Sequence, residues 1–249
     1  MKNKFHNIIF VLKYLLNGEK FRLTYFLTVL LAIYGVIAVG QNISSIQETL
    51  IIMFQFPFFN IFLQFIILMN TINVCSTFSN EFSFYYIRKE KKKNATIDLI
   101  ILSVLYNLLF FFVLFLIMFS LCIIFKGITF NSNLYYQYSI TYNTYMIFYL
   151  IRYVLITLFF TALNTILYQK FNKKILFLNV IFIIMLIAYP SNLDGVAIIN
   201  VLPWNYFTLS NYITFGNELI SSLLFILLLI FINILSFKFV YGVRRKWNI

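Results

Sequence analysis

Few residues in this chain have side chains that could do chemistry, and their spacing excludes most of it. His6 is the only histidine, so no serine or cysteine nucleophile has a histidine base within an apolar core. Zinc and haem sites lack their usual ligand for the same reason. Cys75 and Cys122 form no metal-ligand or redox spacing and read as small packing residues. The seven acids are Glu19, Glu48, Glu81, Glu90, Asp98, Asp194 and Glu218. All fall at or beyond the ends of apolar runs, so paired carboxylates for acid–base work are not expected inside them. Asp98, near Thr96, reads as a helix-start acid facing the macrodipole. No G-x-x-x-x-G-K-[ST] segment occurs, so the chain is not expected to hydrolyse ATP itself or to hold a cofactor of its own.

Three groups keep a chemical reading. Arg152 lies deep in an apolar run, in the sequence Leu-Ile-Arg-Tyr-Val, roughly two turns inside its run. It either lines a substrate path or pairs across an interface, or snorkels to headgroups beside Tyr149 and Tyr153. The amides Asn60, Asn70, Asn73, Asn107, Asn164, Asn179 and Asn233 lie in or at the ends of apolar runs. They either form a polar conduit, with Asn107 and Asn164 on it, or hydrogen-bond between helices. Residues 78–98 read FSNEFSFYYIRKEKKKNATID. Phe78, Phe82 and Tyr85 or Tyr86 recur at helical spacing before a basic run from Arg88, Lys89 to Lys93. An amphipathic helix bearing Glu81 would rest its aromatic face on a membrane domain or a partner's groove. The plainer alternative is a solvated basic loop.

The elements that must position these residues follow from composition. The 249 residues are 62% hydrophobic and 10% charged, more apolar surface than a soluble domain can bury. Seventeen of the 19 basic residues fall in four clusters, at Lys2 to Arg22, Arg88 to Lys93, Lys170 to Lys174 and Lys238 to Lys246. Apolar stretches long enough for two crossings separate the clusters, and basic residues stay on the cytoplasmic side. The net charge of +12 therefore marks topology and anionic-lipid contact, and no nucleic-acid motif accompanies it.

The fold expected is an all-α integral membrane protein, a single transmembrane domain with both termini cytoplasmic. Six spans are placed near residues 23–40, 50–71, 97–125, 145–168, 175–189 and 219–239. Pro57 should kink the second or mark its outer end. Residues 4–17 form an interfacial helix whose apolar face is Phe5, Ile8, Ile9, Leu12 and Leu16, broken by Asn17-Gly18. Residues 78–96 are the cytosolic loop. Residues 190–218 form an outer segment with a re-entrant or interfacial helix at 196–204, flanked by the belt residues Trp204, Tyr206 and Tyr212. No cleavable signal peptide is expected. The wealth of Lys, Asn, Ile, Phe and Tyr matches AT-rich bacterial coding.

This arrangement resembles the membrane subunit of a type-two ABC exporter. The matching pieces are the interfacial helix at 4–17, Asn80-Glu81-Phe82 running into Arg88-Lys89-Glu90, and the apolar segment 196–204. The family often has a glycine in the second of these, and none stands between Phe78 and Asp98 here. The resemblance implies a cytosolic coupling helix in which Glu81, Phe82, Tyr85, Arg88 and Lys89 meet a separate ATPase subunit carrying ATP and Mg. It implies two permeases, identical or related, in the cell membrane, with a bacteriocin-immunity or peptide-export role and a peptide or other amphipathic substrate. The competing class is a non-transporting membrane immunity or scaffold protein.

Overall fold

The computed structural model describes residues 2–40, 45–55, 57–79, 92–126, 140–171 and 215–242. Among them the chain is almost entirely helical and has no strand. Seven helices follow in order. They are α1 (Lys2–Asn17), α2 (Glu19–Gly40), α3 (Ile46–Gln55), α4 (Pro57–Thr77), α5 (Lys92–Lys126), α6 (Tyr142–Phe171) and α7 (Phe215–Gly242). Among the described residues three stretches are long and apolar enough to cross a membrane on their own, Thr96–Phe125, Tyr142–Phe171 and Gly216–Val240. A fourth is reached if Ile9–Asn17 and Phe21–Ile37, which meet at 69°, count as one broken span. The expected span at 175–189, the segment 190–214 and both chain ends lie outside the described residues.

The bend between α1 and α2 falls at the Asn17-Gly18 break. The Gly18 amide closes α1 on the Leu15 carbonyl at 3.2 Å, and the Gly18 carbonyl opens α2 by accepting from Phe21 and Arg22. On α1, Leu12 and Leu16 of the expected apolar face are partly buried against the core. Val11 and Leu15 are buried while Ile9 and Phe10 are exposed. Val11 and Leu15 stand at one border of that apolar stripe, and α1 packs there on α2 and α5.

The expected second span, 50–71, is instead two helices. Pro57 has no N–H to donate and disfavours helix at the residue before it, so α4 starts afresh with Pro57 as its first residue. Upstream, α3 begins inside what reads as an outer loop. Ser45 caps it, its hydroxyl accepting from the Glu48 amide at 3.3 Å, and Ser-Ile-Gln-Glu is the capping-box sequence. Thr141 caps α6 in the same way, accepting from the Thr144 amide at 3.3 Å.

Ring and side-chain contacts fix the helix directions. Phe21 lies 5.4 Å from Tyr106 and Tyr25 lies 6.3 Å from Phe110, so α2 and α5 run parallel. Asn107 bonds to Thr161 while Phe111 packs on Tyr153, and Asn70 bonds to Asn107 while Cys75 lies beside Ser103, so α4 and α6 both run against α5. Asn233 bonds to the Phe159 carbonyl at 3.3 Å, and Lys170 sits 3.5 Å over the Phe239 ring, so α6 and α7 run parallel. The start of α2, the end of α4, the start of α5 and the ends of α6 and α7 therefore share one end of the bundle. Exposed Arg22, Lys170 and Lys238 gather there with Lys13 of α1.

The main apolar core joins α2 to α7, with Phe54 at its centre. Its ring meets Phe59 edge-on at 5.5 Å, Tyr153 at 4.9 Å and Phe115 at 5.5 Å. Gly35 lets α2 come close, since a Cβ there would overlap Met53 Cε and stand 3.1 Å from the Phe59 ring. A second core at the basic end packs Val11 and Leu15 of α1 on Ile72, Cys75, Leu99, Leu102 and Tyr168. Outward faces carry large exposed apolar groups, among them Phe26, Phe62, Phe112, Leu227 and Phe231. A water-facing monomer does not expose apolar surface on that scale, and a lipid-facing one must.

Candidate functional site: a polar column through the bundle

On α6, Tyr145, Tyr149, Tyr153, Thr157, Thr161 and Thr165 recur at intervals of four, and all are buried. Four residues exceed one helical turn by about 40°, so the stripe winds around α6 as it descends. It starts against α7 and ends against α4 and α5. From Tyr145 to Thr165 it covers about 30 Å at the helical rise, the thickness of a bilayer's hydrocarbon layer.

Hydrogen bonding along the column follows one rule. Each threonine hydroxyl donates within its own helix, Thr157 to the Tyr153 carbonyl at 2.8 Å, Thr161 to Thr157 at 3.0 Å and Thr165 to Thr161 at 2.8 Å. That leaves lone pairs to accept from amides on other helices. Gln64 of α4 donates to the Tyr153 hydroxyl at 3.1 Å and to Thr157 at 3.4 Å. Asn107 of α5 donates to Thr71 at 3.1 Å and to Thr161 at 3.3 Å, and accepts from Asn70 at 3.4 Å. Cys75, a buried free thiol, lies beside Thr165 and Ser103 at the lower end.

At the upper end, Arg152 is 2% exposed and Glu218 is 0% exposed. Their side chains form an ion pair between α6 and α7. The Tyr145 hydroxyl donates to the same carboxylate oxygen at 3.4 Å. The guanidinium lies 4.8 Å over the Tyr149 ring and 5.7 Å over that of Phe148. Snorkelling is therefore not what Arg152 does. The first turn of α7 brings a carboxylate beside the guanidinium. Glu218, read from sequence as an outer-segment residue, is an internal one.

Of the expected site residues, the structure brings Arg152 and Asn107 onto one column. Asn164 is half-buried on α6 and falls outside the four-residue register. Glu81, Phe82, Tyr85, Arg88 and Lys89 lie outside the described residues; the helices they connect, α4 and α5, end and begin at the basic end. Asn70, Asn107 and Asn233 bond across helices, the second of the two readings given for these amides. Sequence reasoning missed Glu218, Gln64 and the Tyr/Thr ladder. The interval of four was present in the sequence as a signal; the Glu218 pairing, 66 residues from Arg152, was not. Among the described residues no group of three or more His, Cys, Asp or Glu side chains could hold a metal ion. No known protein family, curated protein or solved structure matches the chain.

Proposed function

We propose that this chain is the membrane subunit of an ATP-driven exporter of the type-two ABC class, with six spans and both termini in the cytoplasm. It would move a peptide or other amphipathic compound across the cell membrane, powered by a separate ATPase subunit and working as a pair of permeases. The observation that carries this reading is the convergence of exposed basic residues, the α4–α5 connection and α1 at one end of a lipid-exposed bundle. Retained basic residues define that end as cytoplasmic, which presents residues 78–96 to a cytosolic partner.

The parallel run of α6 and α7 supports six crossings. A chain leaving the end of α6 at the basic end must recross to start α7 at the other. Residues 175–189 supply the apolar run for that crossing.

In this mechanism ATP-driven closure of the ATPase dimer pushes on the helix around Glu81, Phe82, Tyr85, Arg88 and Lys89. The push shifts the spans between inward-closed and outward-open arrangements. The substrate passes between two permeases, past the end of the bundle that holds Arg152. Reversing the charge at Glu81 tests the coupling step. Glu81→Lys should insert normally and abolish export while ATP hydrolysis continues; wild-type export by that variant sinks the assignment of the loop.

A further inference from the structure

Near the end of the bundle opposite the basic one, several anion-seeking groups converge on one point. The Arg152 guanidinium is buried and ion-paired to Glu218 Oε1. Tyr145 donates its hydroxyl to that oxygen at 3.4 Å, and the Tyr149 ring supports the guanidinium from 4.8 Å. Glu218 stands in the first turn of α7, where the helix macrodipole favours negative charge. A guanidinium, a tyrosine hydroxyl and a helix N-terminus together recognise a carboxylate or a phosphate. Here the chain's own carboxylate fills the place, and fills it incompletely. Glu218 Oε2 is buried without a hydrogen-bond partner among the described residues. A buried carboxylate satisfied on one oxygen is a weaker occupant than a group that satisfies both.

We propose that this is a binding site for the anionic group, carboxylate or phosphate, of an amphiphile, and that Glu218 is an internal counterion the ligand displaces. At the guanidinium one anion replaces another. The incoming anion takes over the guanidinium as Glu218 leaves, so Arg152 never stands alone in a low dielectric. Glu218 has a short way to go, being within one turn of the start of α7. The exposed apolar residues Ile151, Leu155, Leu219 and Leu223, next to the pair on α6 and α7, offer an apolar tail its place. The proposal deepens the exporter reading by naming the substrate class, and it rests on that reading only for the word substrate.

The test is binding of radiolabelled dodecyl phosphate to the purified full chain in phosphatidylcholine nanodiscs. Glu218→Gln keeps the shape and removes the competing charge. It should bind roughly 5- to 150-fold more tightly than wild type, the range of an ordinary coupling between competing interactions. The double variant Arg152→Gln with Glu218→Gln should show no gain, and dodecyl trimethylammonium should show none with any variant. Equal binding by the single and double variants would overturn the proposal, as would an equal gain for the cation. Should Glu218→Gln fail to fold, the wild-type chain carries the test. Dodecyl phosphate should raise its melting temperature and dodecyl trimethylammonium should not; equal shifts overturn the site. Repeating the measurement with phosphatidylglycerol in the nanodisc separates two sources of the same chemistry. Loss of the Glu218→Gln gain there assigns the site to lipid headgroups, and its persistence assigns it to a free amphiphile. No ATPase enters these measurements, so a negative result removes the site and leaves the exporter reading standing.

Discussion

Arg152 and Glu218 are useful as a pair only because both are buried. Removing one leaves the other charge in the interior without its counterion, which costs about 3–5 kcal/mol. Arg152→Leu alone should therefore destabilise the detergent-solubilised chain by about that much, read from denaturant unfolding. Combining it with Glu218→Leu should recover most of the loss, because an apolar pair of similar volume replaces an ion pair at little net cost. Additive losses in the double variant would contradict the pairing. Asn107 makes a milder case. Its three interhelical hydrogen bonds are each worth about 0.6 kcal/mol on average within a bilayer, so Asn107→Leu should cost roughly 1–3 kcal/mol. The identities of these two residues stood out in the sequence, Arg152 as a charge in an apolar run and Asn107 as an amide in one. Their partners did not. Glu218, Thr71 and Thr161 reach them only when helices far apart in the chain are packed, and no local pattern encodes that.

At the scale of elements, the long helices were legible because a bilayer demands a long apolar run and leaves a plain trace of it. The ends were less so. α3 begins at Ile46, inside a stretch with several polar residues, and the clue was the capping box from Ser45 to Glu48 rather than hydropathy. Ser45→Ala should loosen that start by about 1 kcal/mol, seen as faster amide exchange at Glu48 and Thr49. The ladder on α6 was invisible to hydropathy for another reason. Tyrosine and threonine score near neutral in an average, while an interval of four marks them as one face. On α1 the periodicity was real, and Val11 and Leu15, at one border of the apolar stripe, pack it on its neighbours. The α2–α3–α4 junction depends on Gly35. A side chain there must displace the Met53 methyl group and then press on the Phe59 ring. Gly35→Ala should be tolerated by rotation of Met53, whereas Gly35→Leu should cost about 1–3 kcal/mol in overpacking, measured by unfolding in detergent.

For the whole molecule, charge and helix direction tell one story. Basic residues are expected on the cytoplasmic side, and helix packing places Arg22, Lys170 and Lys238 together at one end. Single cysteines replacing these three, in a chain lacking Cys75 and Cys122, should react with a membrane-impermeant maleimide only in inverted vesicles. A cysteine at Thr141 or Asn143, both exposed at the start of α6, should react only in right-side-out ones. Labelling of Lys238→Cys and Lys170→Cys from opposite sides would break the parallel arrangement of α6 and α7 and with it the six-span reading. The central claim, that this bundle is one half of an ATP-driven machine, is tested most directly by its company. The tagged chain would be purified in mild detergent from its native membranes, and the proteins retained would be counted by mass spectrometry. The account predicts a cytosolic ATPase subunit in a one-to-one ratio with this chain. An intact chain recovered without one, while a control transporter keeps its own ATPase, would contradict the exporter reading and leave a membrane immunity or scaffold protein in its place.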